Sequence, residues 1–373
     1  MTTASPSPTT DEHLPEVVRY LIAAGQAAPS ADNSQPWCFR WYDGVLSLSF
    51  RPQEAAAKVF GEDRHCEHLT MGVVCENLVQ AAQAAGLTVD WTFNPGGPDY
   101  LSAAINAETS VTDALKRHSL FDRHTNRLAY QRQPIDRATL MSVAALREAD
   151  CRLVIMPEPQ RIARVSQVVE AASRLRFRTR EIHEWFGSVL RFSAKEVAAG
   201  DGLDVATIDL PPGGRLLLRL IQDWRRMALL NRIGFYKLFA RIEAAKVKNS
   251  AAIIAVVGPS GAASEVAAGR LMERAWILLN ANGIAVQPFY VVTDLLRRLE
   301  ADRTPPELMS DALDLRRRLT ALLPGEGHLH MFLRAGLPKQ EPVRARRLPL
   351  SSAYTTMPPT TTPSETAQPR RRR

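Results

Sequence analysis

The chain has 373 residues, 45% of them hydrophobic and 23% charged, a balance that suits a folded globular protein and excludes a wholly disordered one. Its formal net charge of +8 falls to +4 once Arg370 to Arg373 are set aside (8 − 4), a mild value for the body, whose Arg-rich helical segments are read as solvated faces and not as the basic stripe of a nucleic-acid binder. Cys38, Cys66, Cys75 and Cys151 contain no C-x-x-C pair, which argues against a disulfide or zinc framework and fits a reducing cytoplasm.

Met1 to Asp11 reads as a disordered lead, rich in Ser, Thr and Pro, with neither the basic start nor the apolar core of a secretory leader. A helix is expected over Glu12 to Ala28, stopped by Pro29. Ala28 to Trp37 is then a loop of small hydrogen-bonding side chains, able to offer donors and acceptors to a planar polar ligand. Turn chemistry alone also accounts for its composition. Cys38 to Trp41 and Val45 to Phe50 form a hairpin around Asp43-Gly44. His65, Cys66 and His68 have an unusual spacing for a metal site, so packing or surface roles are expected and no metal is assigned. Glu67 to Ala85 is a buried helix, Leu87 to Asn94 a strand broken at Pro95, and Ala103 to Ala107 a further strand.

A boundary between two halves falls near Thr109 to Leu120. Beyond it come a helix over Asp136 to Ala149, a strand at Cys151 to Met156, and helices over Pro159 to Leu190 and Leu216 to Ala245, separated by a loop from Asp201 to Gly214. Ala251 to Val257 is an uninterrupted apolar run, the mark of a buried strand. A helix over Glu265 to Asn282, an extended piece from Ala285 to Val292, a further helix and a last strand at His328 to Arg334 complete the body. Past Leu350 a Thr/Pro-rich tail lacks the apolar content to fold. No run of eighteen apolar residues is present, so no membrane span and no membrane partner are expected.

The two halves share a pattern. Leu69 to Gly72 matches Val266 to Gly269. Glu76 and Glu273 follow four residues after these glycines, Gly86 and Gly283 fourteen after, and Val89 and Val286 three further on. Physically this is a helix with a small contact residue, ended by glycine and feeding a strand, and the joint spacing points to a duplicated unit.

Pro29, Ser30, Asn33, Gln35, Pro36 and Trp37 spell Pro-Ser-x-x-Asn-x-Gln-Pro-Trp, which resembles the signature loop of the nitroreductase family. The length and second half resemble its tandem, Acg-like subgroup. The resemblance implies an α+β fold, FMN as cofactor, and an arrangement in which two halves of one chain replace an intertwined dimer. It places an N-terminal half at residues 12–115 and a C-terminal half at 116–350, with an insertion at about 181–245 and a disordered tail at 351–373. The chain is then a monomer with pseudo-dimeric halves or a homodimer. The insertion, containing Trp185, Trp224 and Tyr236, is either a lid over the flavin or a plain surface subdomain.

Arg123, Thr125 and Arg127 alternate, so in an extended segment all three can converge on one anion; a solvated basic turn has the same composition. The element resembles the family's Arg-x-Ser-x-Arg, which implies a hold on the FMN phosphate, with Arg346 and Arg347 returning to it from the C-terminal segment. Pro288, Phe289 and Tyr290 resemble the segment beside the flavin's reactive edge. Tyr290 and Val291 stand where the family commonly has Glu-Gly, so a side chain occupies the place where a substrate or nicotinamide stacks. The implied activity is hydride transfer from NAD(P)H through flavin N5 to a small organic acceptor, with no fixed general acid or base. Flavin storage without turnover and a dehydrogenase acting on a peptide-derived or heterocyclic substrate are the alternatives.

Overall fold

A computed structural model describes residues 14–51, 64–94 and 97–356; the expected lead at 1–11 and Arg370 to Arg373 lie outside them. The elements run α1 (Glu16–Gln26), β1 (Trp37–Tyr42), β2 (Val45–Phe50), α2 (His65–Ala84), β3 (Thr92–Phe93), β4 (Leu101–Ala104), α3 (Asp113–Lys116), α4 (Arg137–Ala145), β5 (Arg147–Glu148), β6 (Cys151–Met156), α5 (Pro159–Arg176) and α6 (Arg180–Val189). They continue with β7 (Leu190–Arg191), α7 (Ala194–Ala198), β8 (Leu203–Asp204), α8 (Gly214–Ile221), α9 (Trp224–Arg232), α10 (Phe235–Lys248), β9 (Ala252–Gly258), α11 (Ala262–Ala281), β10 (Ala285–Phe289), α12 (Val291–Glu300), α13 (Met309–Leu322), β11 (His328–Gly336) and β12 (Tyr354–Thr355). The class is α+β, as expected.

Two five-stranded sheets, ordered β12-β1-β2-β4-β3 and β10-β11-β9-β6-β5, flank the long helices α2 and α11. The β1–β2 turn puts Asp43 at φ 50° and Gly44 at φ 73°, both left-handed, as a tight two-residue hairpin requires. β9 explains its own apolar run: Ala252, Ile254 and Val256 face the core beneath α2 and α11, while Ile253, Ala255 and Val257 face a second core with α5, α12 and α13. Burial on both faces removes any reason to alternate.

At the crossing of α2 and α11 a Cβ on Gly72 would lie 2.0 Å from the Val266 carbonyl oxygen, and one on Gly269 would lie 2.1 Å from that of Leu69. Gly86 and Gly283 end these helices at φ 73° and 71°, the left-handed C-terminal stop.

Several expectations differ from the structure. Leu87 to Asn94 contributes only the two-residue β3. Val291 begins a helix rather than extending β10. The helix expected over Leu216 to Ala245 is three, broken at Asp223, which caps α9, and at Gly234, whose φ of 88° suits no other residue well. The chain past Leu350 is also ordered for six further residues: Phe39 N donates to the Ala353 carbonyl (2.8 Å), and Tyr354 and Thr355 pair in parallel with Phe39 and Arg40. An open edge on β1 supplies the partners that composition cannot show.

Candidate functional site

The loop after α1 is built from its own side chains. Gln35 N donates to Ser30 Oγ (2.9 Å), and Asp32, Asn33 and Gln35 adopt φ of 48°, 61° and 47°, a conformation that Asp and Asn tolerate and Gln resists. Asn33 Nδ2 donates to the Arg346 carbonyl (2.9 Å) and the Gly200 carbonyl (3.2 Å), and Gln35 Nε2 donates to Gly200 (2.9 Å). Gln35 Oε1 accepts from Leu348 N (3.0 Å) and Asn33 Oδ1 from Arg347 Nη1 (2.9 Å). These amides join the loop, the insertion and the C-terminal segment, and their polar groups are spent on protein partners.

Arg347 clamps the end of α1. Its Nε donates to the Gln26 carbonyl (3.1 Å) and its Nη2 to those of Ala27 (3.2 Å) and Ala28 (3.1 Å), a cation on helix-terminal carbonyls. Burial pulls its pKa down to about 10. Arg346 contributes its carbonyl, and its side chain is exposed.

Arg123 is buried. It donates to the Ala27 carbonyl (2.7 Å), lies 2.8 Å from Glu273 and packs 4.8 Å over Trp276. The contact with Glu273 is close but misaligned, and Arg123 Nη1 has no hydrogen-bond partner. Burial lifts the Glu273 carboxyl to about 7, against the pull of Arg123.

Thr125 makes an isolated parallel bridge to Val286, and Asn126 N donates to the Val286 carbonyl (2.9 Å). Arg127 is half-buried, which depresses its pKa. Its one hydrogen bond, Nη1 to Thr207 Oγ1, is long at 3.4 Å, and among the described residues no carboxylate pairs with it. The insertion closes over this place, with Trp185 Nε1 donating to Asp32 Oδ2 (2.9 Å). Arg334 on β11 adds a buried cation 4.0 Å over Tyr130, bonded to the carbonyls of Leu128 (2.7 Å) and Lys246 (3.1 Å) and to Gln287 (2.8 Å).

Pro288 pairs with Leu333 in the sheet, and Phe289 faces the second core rather than the loop. Tyr290 heads a chain that the sequence did not reveal. Its hydroxyl lies 2.8 Å from His65 Nδ1, His65 Nε2 lies 3.1 Å from His330 Nδ1, and His330 Nε2 lies 3.1 Å from the Pro259 carbonyl. A carbonyl only accepts, which fixes the protons: His330 Nε2–H donates to Pro259, His65 Nε2–H to His330, and Tyr290 O–H to His65. Burial holds His65 down at about 2 and His330 at about 4, so both rings are neutral. Beside them His68 Nδ1 lies 2.7 Å from Glu265, which pairs with Arg297 (3.2 Å). The alternation of His328 and His330 in a strand was the one available signal.

The loop residues, Arg123 and Arg347 thus share the end of α1, and Thr125 and Arg127 stand beside β10 under the insertion. A cleft of about 310 Å³ lies elsewhere, between α5, α10 and α13; its Arg174 and Arg178 are ion-paired with Glu170 and Asp311.

No family model matches the chain. It is 26% identical over 340 residues to an uncharacterized protein of Mycobacterium tuberculosis, covering 88% of this chain and 47% of that protein; the chain spans about half the length of this curated relative. Among solved structures it is similar to the FMN-dependent nitroreductase NfnB of Mycobacterium smegmatis in complex with NADPH (14% identity, 65% of this chain and 98% of that one, TM-score 0.37). A nitroreductase with bound FMN from Bacteroides fragilis is also similar (10% identity, 69% and 98%, TM-score 0.31).

Proposed function

We propose that the chain is an FMN-binding oxidoreductase of the nitroreductase type, using NAD(P)H and a small organic acceptor. The observation that carries this is Arg127, a partly desolvated guanidinium with one long hydrogen bond and, among the described residues, no carboxylate in ion-pair contact; Asp32 attracts it only from a greater distance. A cation held in that state favours an anion, and a planar fork suits phosphate. The hydroxyl of Thr125, two residues before Arg127 and beside β10, enlarges the donor set. These residues fit FMN, which when bound supplies hydride chemistry at its N5.

The protein's part is binding and exclusion. Arg127 and Thr125 would hold the phosphate. Asn33, Gln35, Arg123 and Arg347 fix the loop that carries Pro29 and Ser30, and Arg346 stands at its outer edge. Trp185 and Thr207 keep water from the covered side. Of the segment 288–290, Pro288 and Tyr290 would border the flavin, with the Tyr290 proton held toward His65 Nδ1, whereas Phe289 faces the second core. We read residues 12–115 and 116–350 as two halves of a pseudo-dimer. The reciprocal contact of Gly72 and Gly269, at equivalent positions of the repeat, supports this. The insertion at about 181–245 acts as the lid.

Storage of flavin without turnover is the second reading. The direct contacts of Trp185 with Asp32 and of Thr207 with Arg127 favour it, since a lid bonded to both sides of the site opens at a cost.

The test is the visible absorption spectrum of the purified chain reconstituted with FMN, beside Arg127→Ala, with anaerobic NADPH added afterwards. Flavin binding weakened about 10- to 100-fold by Arg127→Ala is expected for one lost charged hydrogen bond. A chain that takes up no flavin overturns the proposal. Rapid bleaching by NADPH identifies a reductase, and a flavin that stays oxidised identifies storage.

A further inference from the structure

The insertion carries a surface that the flavin reading does not use. Leu216 (75% exposed), Leu220, Leu229, Ile233 (78% exposed), Leu238 and Ile242 are large aliphatic side chains open to solvent. Leu216 and Leu220 lie on α8, Leu238 and Ile242 on α10, and Leu229 on α9 is followed by Ile233, the residue just past that helix; within every pair the spacing is four residues, which on α8 and α10 sets both members on one helix face. The same helices expose Arg215, Arg219, Arg225, Arg226, Arg232, Lys237, Arg241 and Lys248. Asp223 is the one exposed carboxylate of residues 214–248, because Glu243 is half-buried and paired with Arg176. Among the described residues none of the eight exposed cations forms an ion pair.

We propose that α8, α9 and α10 dock on an anionic lipid surface, with the leucines and isoleucines entering the headgroup boundary and the arginines and lysines on phosphates. The composition selects this partner. Aliphatic side chains exposed to this extent gain nothing from nucleic-acid phosphates. A second copy would set eight unpaired cations against eight more. Helices with paired apolar positions and flanking cations are the composition of interfacial helices, whose long cationic side chains reach up to the headgroups. Such docking lies along the membrane and requires no span; no helix among the described residues is long and apolar enough to cross one. It leaves Arg127 and the loop untouched.

The full-length chain is floated with vesicles of phosphatidylglycerol in phosphatidylcholine and, separately, of phosphatidylcholine alone. Binding to the anionic vesicles, weakened by salt, is expected. The triple variant Arg225→Gln, Arg232→Gln, Arg241→Gln should bind on the order of 100-fold more weakly, from about fivefold per cation. Leu229→Ser with Ile233→Ser, which keeps every charge, should lose about 10-fold or more. All five side chains are exposed, and far-ultraviolet dichroism checks that the variants fold. A full-length chain with Arg370 to Arg373 changed to Gln should still float. Absence of flotation at low salt, or equal flotation by the wild type and both variants, overturns the proposal. Loss of flotation on neutralising the tail alone also overturns it. A dimer in sedimentation velocity that Ile233→Ser abolishes, without vesicle binding, assigns the face to a second copy instead.

Discussion

Gly72 and Gly269 meet at the crossing of α2 and α11, each placed so that a methyl group would strike the backbone of the opposite helix. The obstacles are carbonyl oxygens, not flexible side-chain ends, so they cannot give way locally. Gly72→Ala and Gly269→Ala should each destabilise the chain by about 1–3 kcal/mol or more. Urea unfolding of each variant measures this, and an unchanged midpoint would mean that the helices separate freely.

Glu273 gives stability a pH dependence of unusual sign. Its carboxyl is raised from the ordinary 4.5 to about 7 in the folded chain. Its contribution is therefore full below about 4.5 and is lost as pH rises through 7, with a slope of at most about 1.4 kcal/mol per pH unit. Glu273→Gln should flatten the stability profile between these values. Denaturant titrations from pH 4.5 to 8 check it.

His65 and His330 act in the opposite direction. Their folded pKa values of about 2 and about 4 lie below the ordinary 6.5, so their contribution is present above 6.5 and lost as pH falls toward those values. Nitrogen NMR at pH 7 should show His65 protonated at Nε2 and bare at Nδ1. His65→Phe removes the donor to the buried His330 Nδ1 and should cost about 1–3 kcal/mol for that acceptor left unsatisfied.

Arg347 positions the loop. Arg347→Lys keeps the charge but cannot bond Gln26, Ala27, Ala28 and Asn33 at once, because a lysine lacks the planar fork. Amide exchange across residues 30–35 should quicken about fivefold, while β9 and β11 keep their protection; one lost net hydrogen bond of about 1 kcal/mol sets that scale. Unchanged loop exchange would remove Arg347 from this role.

Most of the architecture was legible because its signals were local. The β1–β2 hairpin follows from Asp43-Gly44, β9 from its apolar run, and both long helices from their terminal glycines. The loop and residues 123–127 also stood out by pattern. What the sequence hid was long-range. Asn33 and Gln35 look like ligand donors until Gly200, Arg346 and Leu348 arrive to claim them. Arg123 and Arg127 look equivalent, yet one is paired with Glu273 and the other is not. The Tyr290–His65–His330 chain joins three distant segments, and no spacing announces it.

The parallel pairing of β12 with β1 joins positions 315 residues apart (354 − 39). β1 is otherwise an edge strand, and an uncovered edge is a template for pairing with other chains. The closing segment is held in part by the same contacts, through Arg347 and Leu348, that hold the loop of Asn33 and Gln35. A single protease cut between residues 337 and 347 would therefore free more than a strap: it would uncover β1 and turn an intact sheet into a seed for aggregation.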